Sequence, residues 1–274
     1  MIQTQISNLL VGDGQPLLVL AGPCVIESEE LTRSIASTLK EICSRVGASF
    51  VFKASFDKAN RTSVNSFRGL GIEEGLRILK NIRDDFQVPV VTDIHEAYQA
   101  QLAAQAVDLI QIPAFLSRQT SLLQAAAETG LPVNVKKGQF MAPGDMKNVV
   151  EKLRAFGCNN ILLCERGTFF GYGRLVNDMT GLIEMRDLGV PVVFDATHSV
   201  QAPGALGNCT GGNRRMVAPL ARAAAAVGID GLFIETHPDP DHALSDGPNS
   251  LYLSDVENVL RSVIAIRETV LKHN

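Results

Sequence analysis

Tryptophan is absent from the 274 residues, only 3 tyrosines are present, and neither charge sign dominates. With 25 Lys and Arg against 29 Asp and Glu, the formal net charge is −4, so the basic excess typical of nucleic-acid binders is missing. No apolar run approaches the roughly 18–20 residues that cross a bilayer, which argues against a membrane partner. Residues 1–13 hold neither a basic n-region nor an apolar h-region, so no secretory signal is expected. The 5 cysteines (Cys24, Cys43, Cys158, Cys164, Cys209) are odd in number and form no C-x-x-C pair. That excludes a disulfide framework and fits free thiols in a reducing compartment, so a cytoplasmic location is expected. No linker, low-complexity stretch or change of composition divides the chain, and one domain over 1–274 is expected.

What the chain does have is a regular alternation of short apolar runs and amphipathic stretches. The runs are LLVLAG (17–22), SFVFKA (49–54), VPVVTD (88–93), VDLIQI (107–112), LPVNVK (131–136), NNILLC (159–164), VPVVFD (190–195) and IDGLFIE (229–235). Between them lie helical patterns such as 28–46, 72–84, 146–156 and 213–227, with 252–271 closing the chain. Near-continuous apolar strands alternating with helices imply a parallel sheet covered on both faces. Eight such units in about 250 residues match the count and size of a (β/α)8 barrel, the α/β fold known as the TIM barrel. A doubly wound open sheet would need a Gly-rich dinucleotide turn after its first strand, and the segment AGPCVIES is not one. Residues 1–15, with Gly12-Asp13-Gly14 between two short apolar stretches, read as a hairpin closing the barrel bottom.

In a barrel of this kind the chemistry sits at the carboxyl ends of the strands. Those ends carry Cys24; Lys53; Asp93 and His95; Gln111; Lys136; Glu165 and Arg166; Asp195 and His198; and Glu235 with Asp246 beyond. The stretch VFKASFDKANRTS (51–63) delivers Lys53, Lys58 and Arg61 into a loop with Ser55, Asn60, Thr62 and Ser63, a composition suited to phosphate or carboxylate. Cys24, His198, Glu235 and Asp246 are the residue types that bind a borderline divalent metal such as Zn, Fe(II) or Mn(II). The first, seventh and eighth strands meet where a barrel closes, which brings these four within reach of one point. Each also has a plainer reading: a buried small thiol, a capping histidine, a carboxylate paired with a lysine, an Asp-Gly-Pro turn. His237 and His242, in ETHPDPDH, are expected to stand behind the site or face solvent. Cys209, in GNCTGGNRR (207–215), lies in a Gly-rich loop expected to close over substrate; the lack of G-K-[ST] excludes a P-loop.

Seven segments in order closely resemble the 3-deoxy-D-manno-octulosonate 8-phosphate synthases (2-dehydro-3-deoxyphosphooctonate aldolases). They are FKASFDKANRTS (52–63), TDIHE (92–96), QIPAFLSRQT (111–120), NVKKGQF (134–140), CERG (164–167), FDATHSVQ (194–201) and FIETHPDPDHALSDGP (233–248). The resemblance implies a (β/α)8 barrel, a homotetramer and a place in lipopolysaccharide precursor synthesis. It implies condensation of phosphoenolpyruvate with D-arabinose 5-phosphate and water, releasing inorganic phosphate. The family has a metal-dependent branch and a metal-independent one with Asn at the position of Cys24. The resemblance therefore points to one divalent transition metal on Cys24, His198, Glu235 and Asp246, with no organic cofactor.

By the same resemblance Lys53, Lys58, Gln111, Ala114 with Phe115, Lys136 and Arg166 border phosphoenolpyruvate, with Ser55 and Asp93 alongside. Asn60, Arg61 and Ser199 resemble the grip on the sugar phosphate, and Arg118 resembles a residue that reaches a neighbouring subunit's site. The catalytic set is Cys24, Lys136, His198 and Asp246, with His198 also near phosphate and Asp246 moving protons. A metal could polarise the aldose carbonyl or activate the attacking water, and both roles stand. The nearest alternative is the sibling synthase that uses erythrose 4-phosphate, which usually carries Lys-Pro-Arg-Thr where this chain has Lys58-Ala59-Asn60-Arg61. A metal-dependent aldolase without phosphoenolpyruvate would leave Lys136 and Arg166 without a partner. A non-catalytic sugar-phosphate-binding barrel would have no need of both a metal set and two anion sites.

Overall fold

A computed structural model of the chain describes residues 1–61, 63–203 and 211–273; Thr62 and Cys209, named above, lie outside them. Eight parallel strands run Leu18–Gly22, Ser49–Lys53, Val90–Asp93, Leu109–Ile112, Val133–Lys136, Ile161–Glu165, Val192–Asp195 and Gly231–His237. Each pairs with the next, and Gly231–His237 pairs with both Val192–Asp195 and Leu18–Gly22, so the sheet closes into a barrel. The strands are short and apolar because both faces are covered.

The two-residue side-chain period sorts their residues into separate cores. Leu18, Leu20, Val51, Val91, Leu109, Leu162, Cys164, Val193 and Phe233 fill the barrel interior. Their neighbours Val19, Ala21, Phe52, Val90, Ile110, Val135, Leu163 and Phe194 face outward into the layer shared with the helices. A helix follows each strand, the longest being Glu29–Val46, Ile72–Phe86 and Val256–His273. Glu29–Val46 starts where the Ser28 hydroxyl accepts the Leu31 amide, and it stops at Gly47, whose φ of 71° suits a residue without Cβ. No described helix is long and apolar enough to cross a membrane.

The amino-terminal hairpin, Gln3–Ile6 against Leu9–Gly12, plugs the end of the barrel where the strands begin. Ile6 and Val11 are fully buried and complete the interior cluster. Thr4 Oγ1 donates to the Ile161 carbonyl at 2.9 Å, and Asn160 Oδ1 accepts the Gln5 amide at 3.0 Å. Arg186 ties Asp13 to Asp230, just before the eighth strand. The turn differs from the sequence reading: the chain reverses at Ser7-Asn8, with Ser7 at φ 47°, and not at Gly12-Asp13-Gly14. Gly12 instead ends the second hairpin strand, where a Cβ would sit 2.1 Å from the Ile2 carbonyl oxygen. The close approach of two backbones, rather than a turn, explains that glycine.

At the opposite rim the loops are longer. Thr168–Gly171 and Arg174–Val176 form a hairpin after the sixth strand, and Leu251–Tyr252 adds a short parallel pairing to the end of the eighth.

Candidate active site

A cavity of about 1030 Å³ opens at the carboxyl rim. Lys53, Lys58, Asn60, Arg61, Asp93, Ala114, Phe115, Lys136, Arg166, His198 and Asp246 all line it. Residues from seven of the eight strand ends and their loops therefore face one space. Cys24 and Glu235 stand behind this wall.

Glu235, fully buried on the eighth strand, accepts the Lys53 ammonium at 2.7 Å, and Lys58 lies 3.7 Å from the same oxygen. Lys53 also donates to the Cys24 carbonyl at 3.1 Å. The lysine-paired reading of Glu235 thus holds for Oε1. Its other oxygen, Oε2, has no hydrogen-bond partner among the described residues and lies 3.5 Å from His198 Nε2. Burial by itself would raise the Glu235 carboxyl, but His198, Lys53 and Lys58 hold it well below the ordinary range.

His198 is oriented by Asp195. The carboxylate accepts His198 Nδ1 at 2.7 Å, the His198 amide at 2.8 Å and the Lys136 ammonium at 2.6 Å. With Nδ1 held by Asp195, the ring turns Nε2 toward Glu235 Oε2 and Asp246 Oδ2, each 3.5 Å away. Burial opposes ionisation of Asp195, yet the charges of His198 and Lys136 keep it far below the usual carboxylate range. Lys136 also lies 3.6 Å above the Phe233 ring, whose face favours a cation.

Cys24 Sγ lies 2.7 Å from Ser245 Oγ and 3.6 Å from Asp246 Oδ2. Sulfur, a Glu235 oxygen and an Asp246 oxygen all fall within 4.8 Å of one another, and His198 reaches two of the three. Burial pushes the Cys24 thiol up, and the charges of Asp246 and Glu235 push it further. The set fits a divalent transition metal on three counts. It offers sulfur, imidazole and carboxylate together; Glu235 Oε2 is buried and unpartnered; and a dication would reverse the repulsion that keeps the thiol protonated.

The remaining charged and polar side chains around the cavity form two groups. Arg166 is buried, gives Nη2 to Gln201 Oε1 at 2.6 Å and leaves Nη1 without a partner among the described residues. Arg61 stands at the outer part, where it donates to the Phe67 and Leu244 carbonyls and lies 3.6 Å from Asp246 Oδ1. Asp93 is held by Ser55 Oγ at 2.6 Å and by Gln111 Nε2, which itself is fixed by Asn134 at 2.8 Å. Burial would raise Asp93, and Lys53, Lys58 and Lys136 outweigh it, keeping the carboxylate charged.

Some of the predicted residues do not line this cavity. Ser55 and Gln111 act on it through Asp93. Ser199 is buried with no partner for its hydroxyl among the described residues, and Arg118 is exposed outside the cavity of its own chain. His237 is buried with Nε2 3.8 Å from Glu27, whereas His242 faces solvent and pairs with Asp239.

The sequence profile of the DAHP synthetase I family matches residues 1–272. The chain belongs to the DAHP synthetase I family. A protein of Cyanothece sp. is 58% identical over 97% of this chain and 98% of its own length, and bears the name 2-dehydro-3-deoxyphosphooctonate aldolase. Proteins of the same name from a Synechococcus sp. and from Fusobacterium nucleatum are 59% and 53% identical, over 95% and 98% of this chain and 92% and 96% of their own.

Sequence reasoning missed roles for Asp195, Gln201 and Ser245. Asp195 was visible as a strand-end carboxylate, but its two partners lie at 136 and 198. Gln201 closes the segment FDATHSVQ and lines the cavity between Arg166 and Asp246, with Nε2 3.4 Å from Asp246 Oδ2. Nothing in the sequence marks Ser245, whose importance comes only from its contact with Cys24.

Proposed function

We propose that the chain condenses phosphoenolpyruvate with D-arabinose 5-phosphate and water, giving 3-deoxy-D-manno-octulosonate 8-phosphate and inorganic phosphate for lipopolysaccharide synthesis. The observation that carries this reading is a single cavity lined by both cation groups, Lys53, Lys136 and Arg166 on one side and Asn60 and Arg61 on the other, beside the Cys24–Glu235–Asp246 cluster. The names of relatives 53–59% identical over nearly the whole chain support the same substrate pair.

Phosphoenolpyruvate carries almost its full negative charge at neutral pH, and it must lie beside a second phosphate. Lys53, Lys58, Lys136 and Arg166 neutralise it; Arg166 Nη1, which has no partner among the described residues, is a further donor for an anion. Arg61 and Asn60 take the sugar phosphate. Held together, carbon 3 of the enol attacks the aldehyde carbon, whose oxygen takes up a proton to become a hydroxyl; water adds at carbon 2 with loss of one proton, and the resulting hydroxyl loses the second as the carbon–oxygen bond to phosphate breaks and the ketone forms. Lys136 Nζ, shared with Asp195, is placed to give a proton to departing phosphate, and Asp246 to accept one from the water. Cys24, His198, Glu235 and Asp246 would hold a Zn, Fe(II) or Mn(II) ion, which supplies Lewis acidity toward the sugar. Asp195, through His198 Nδ1, keeps Nε2 turned to that cluster.

The assembly we propose is a cytoplasmic homotetramer in which exposed Arg118 serves a neighbouring subunit's cavity. Sedimentation tests the assembly, and a trimer or monomer at assay concentration would exclude it. The reaction is tested by phosphate release with arabinose 5-phosphate or erythrose 4-phosphate, before and after dipicolinate and after Mn(II) is restored. Release with the five-carbon sugar, abolished by chelator and regained with metal, is expected. A preference for erythrose 4-phosphate would assign the sibling reaction, and activity indifferent to chelator would remove the metal.

A further inference from the structure

Lys137 and Glu165 form a fully enclosed ion pair that the mechanism above does not use. Lys137 is 0% and Glu165 2% exposed, and neither lines the cavity. Yet each is the chain neighbour of a cation that does: Lys137 follows Lys136, and Glu165 precedes Arg166. Successive side chains of an extended segment point to opposite sides, so the inward cations come with this outward pair.

Its bonds run to backbone. Glu165 Oε1 accepts the amides of Arg166 at 2.9 Å and Gly167 at 2.6 Å, fixing the turn that leaves the sixth strand. Lys137 Nζ lies 3.6 Å from Glu165 Oε2 and donates to the carbonyls of Gly138 and Met141 and to Thr168 Oγ1, at 3.3, 3.2 and 3.1 Å. The Lys137 amide donates to the Cys164 carbonyl at 2.8 Å, and the Phe169 amide to the Gln139 carbonyl at 3.0 Å. The loops after the fifth and sixth strands are thereby joined at several points, with the ion pair in the middle. Burying two charges is costly, and an apolar pair of similar size would stabilise the fold as well or better. What an apolar pair would lack is direction: it would not hold the Arg166 amide or span both loops.

We propose that Lys137 and Glu165 are positioning residues that set the distance and orientation between Lys136 and Arg166, and so govern affinity for the phosphoenolpyruvate end of the cavity. The inference rests on the substrate reading above. It predicts an effect on one substrate and little on the other, because Asn60 and Arg61 belong to a different loop.

The test uses Lys137→Met, Glu165→Met, which also removes the acceptor of the Arg166 and Gly167 amides, and the double variant. Each single change leaves one buried charge unmatched and lowers the melting temperature. The double variant removes both charges and recovers most of that loss. Calorimetric titration with phosphoenolpyruvate, which needs no turnover, is expected to show at least fivefold weaker binding for the double variant. In the phosphate-release assay its KM for arabinose 5-phosphate stays within twofold of wild type. A thermally restored double variant that binds phosphoenolpyruvate like wild type would reduce the pair to a structural element and overturn the proposal. Equal losses for both substrates would do the same. A wild-type chain that takes up no phosphoenolpyruvate would instead overturn the substrate reading, an outcome separable from failure of the brace.

Discussion

Asp195→Asn is the substitution that most directly tests how the site is held together. The residue is fully buried, and its two oxygens face different donors. Oδ1 takes the amides of His198 at 2.8 Å and Thr197 at 3.2 Å, while Oδ2 takes the Lys136 ammonium and His198 Nδ1. Asparagine keeps the shape but offers one acceptor and one donor group. If its amino group faces Lys136 and His198, donors oppose donors; if it flips, the amino group faces two backbone amides. Either way the buried Lys136 ammonium loses the carboxylate that pairs with it at 2.6 Å. Removing one partner of a buried pair costs about 3–5 kcal/mol, and that loss is expected in urea unfolding at pH 7. In the first orientation His198 would also shift its proton to Nε2, toward Glu235 and Asp246, and losing such an orienting partner lowers metal affinity roughly 10–100-fold. Competition with a chelating indicator reads this without turnover. Adding Lys136→Met removes the unmatched charge, so the double variant should regain much of the stability, a coupling that a double-mutant cycle measures. An Asp195→Asn chain within about 1 kcal/mol of wild type, with unchanged metal affinity, would refute the whole account, since a buried pair broken on one side should cost more.

Cys24→Ser should lose most bound metal and most activity, because a hydroxyl is a far weaker ligand than a thiolate; full metal content by mass spectrometry would remove Cys24 from the set. Arg61→Ala should raise the KM for arabinose 5-phosphate about tenfold or more, the scale of a lost charge-assisted bond, while the KM for phosphoenolpyruvate moves little. Equal rises would mean that Arg61 acts chiefly through Leu244 and Asp246, which it also touches. Ile6→Ala empties the barrel floor and should cost about 2–5 kcal/mol in urea unfolding, with KM values unchanged because the rim lies at the other end of the strands. A cost under about 1 kcal/mol would show that the hairpin is not an integral part of the interior core.

Much of this molecule is legible one residue at a time. The eight apolar runs become the eight strands within about two residues, because a strand buried on both faces leaves little room for polar residues. The strand-end polar residues were likewise visible, since a charge directly after a buried strand stands out from its neighbours. Local pattern failed where pairing partners decide the outcome. The first turn falls at Ser7-Asn8 because Gln3–Ile6 must pair with Leu9–Gly12, and glycine content pointed instead to residues 12–14. The hairpin of Thr168–Gly171 and Arg174–Val176 was missed because its strands are short and show no clean alternation.

The sequence alone determined the barrel, its working rim and the kinds of chemistry available there, since those follow from composition and period along the chain. Tertiary structure decided which of these groups meet. It gave Asp195 to both Lys136 and His198, left Glu235 Oε2 beside His198 with no hydrogen-bond partner among the described residues, and hid Lys137 with Glu165 behind the cations they accompany. Such pairings depend on distances across a closed sheet, where residues tens of positions apart become neighbours. No local propensity encodes those distances.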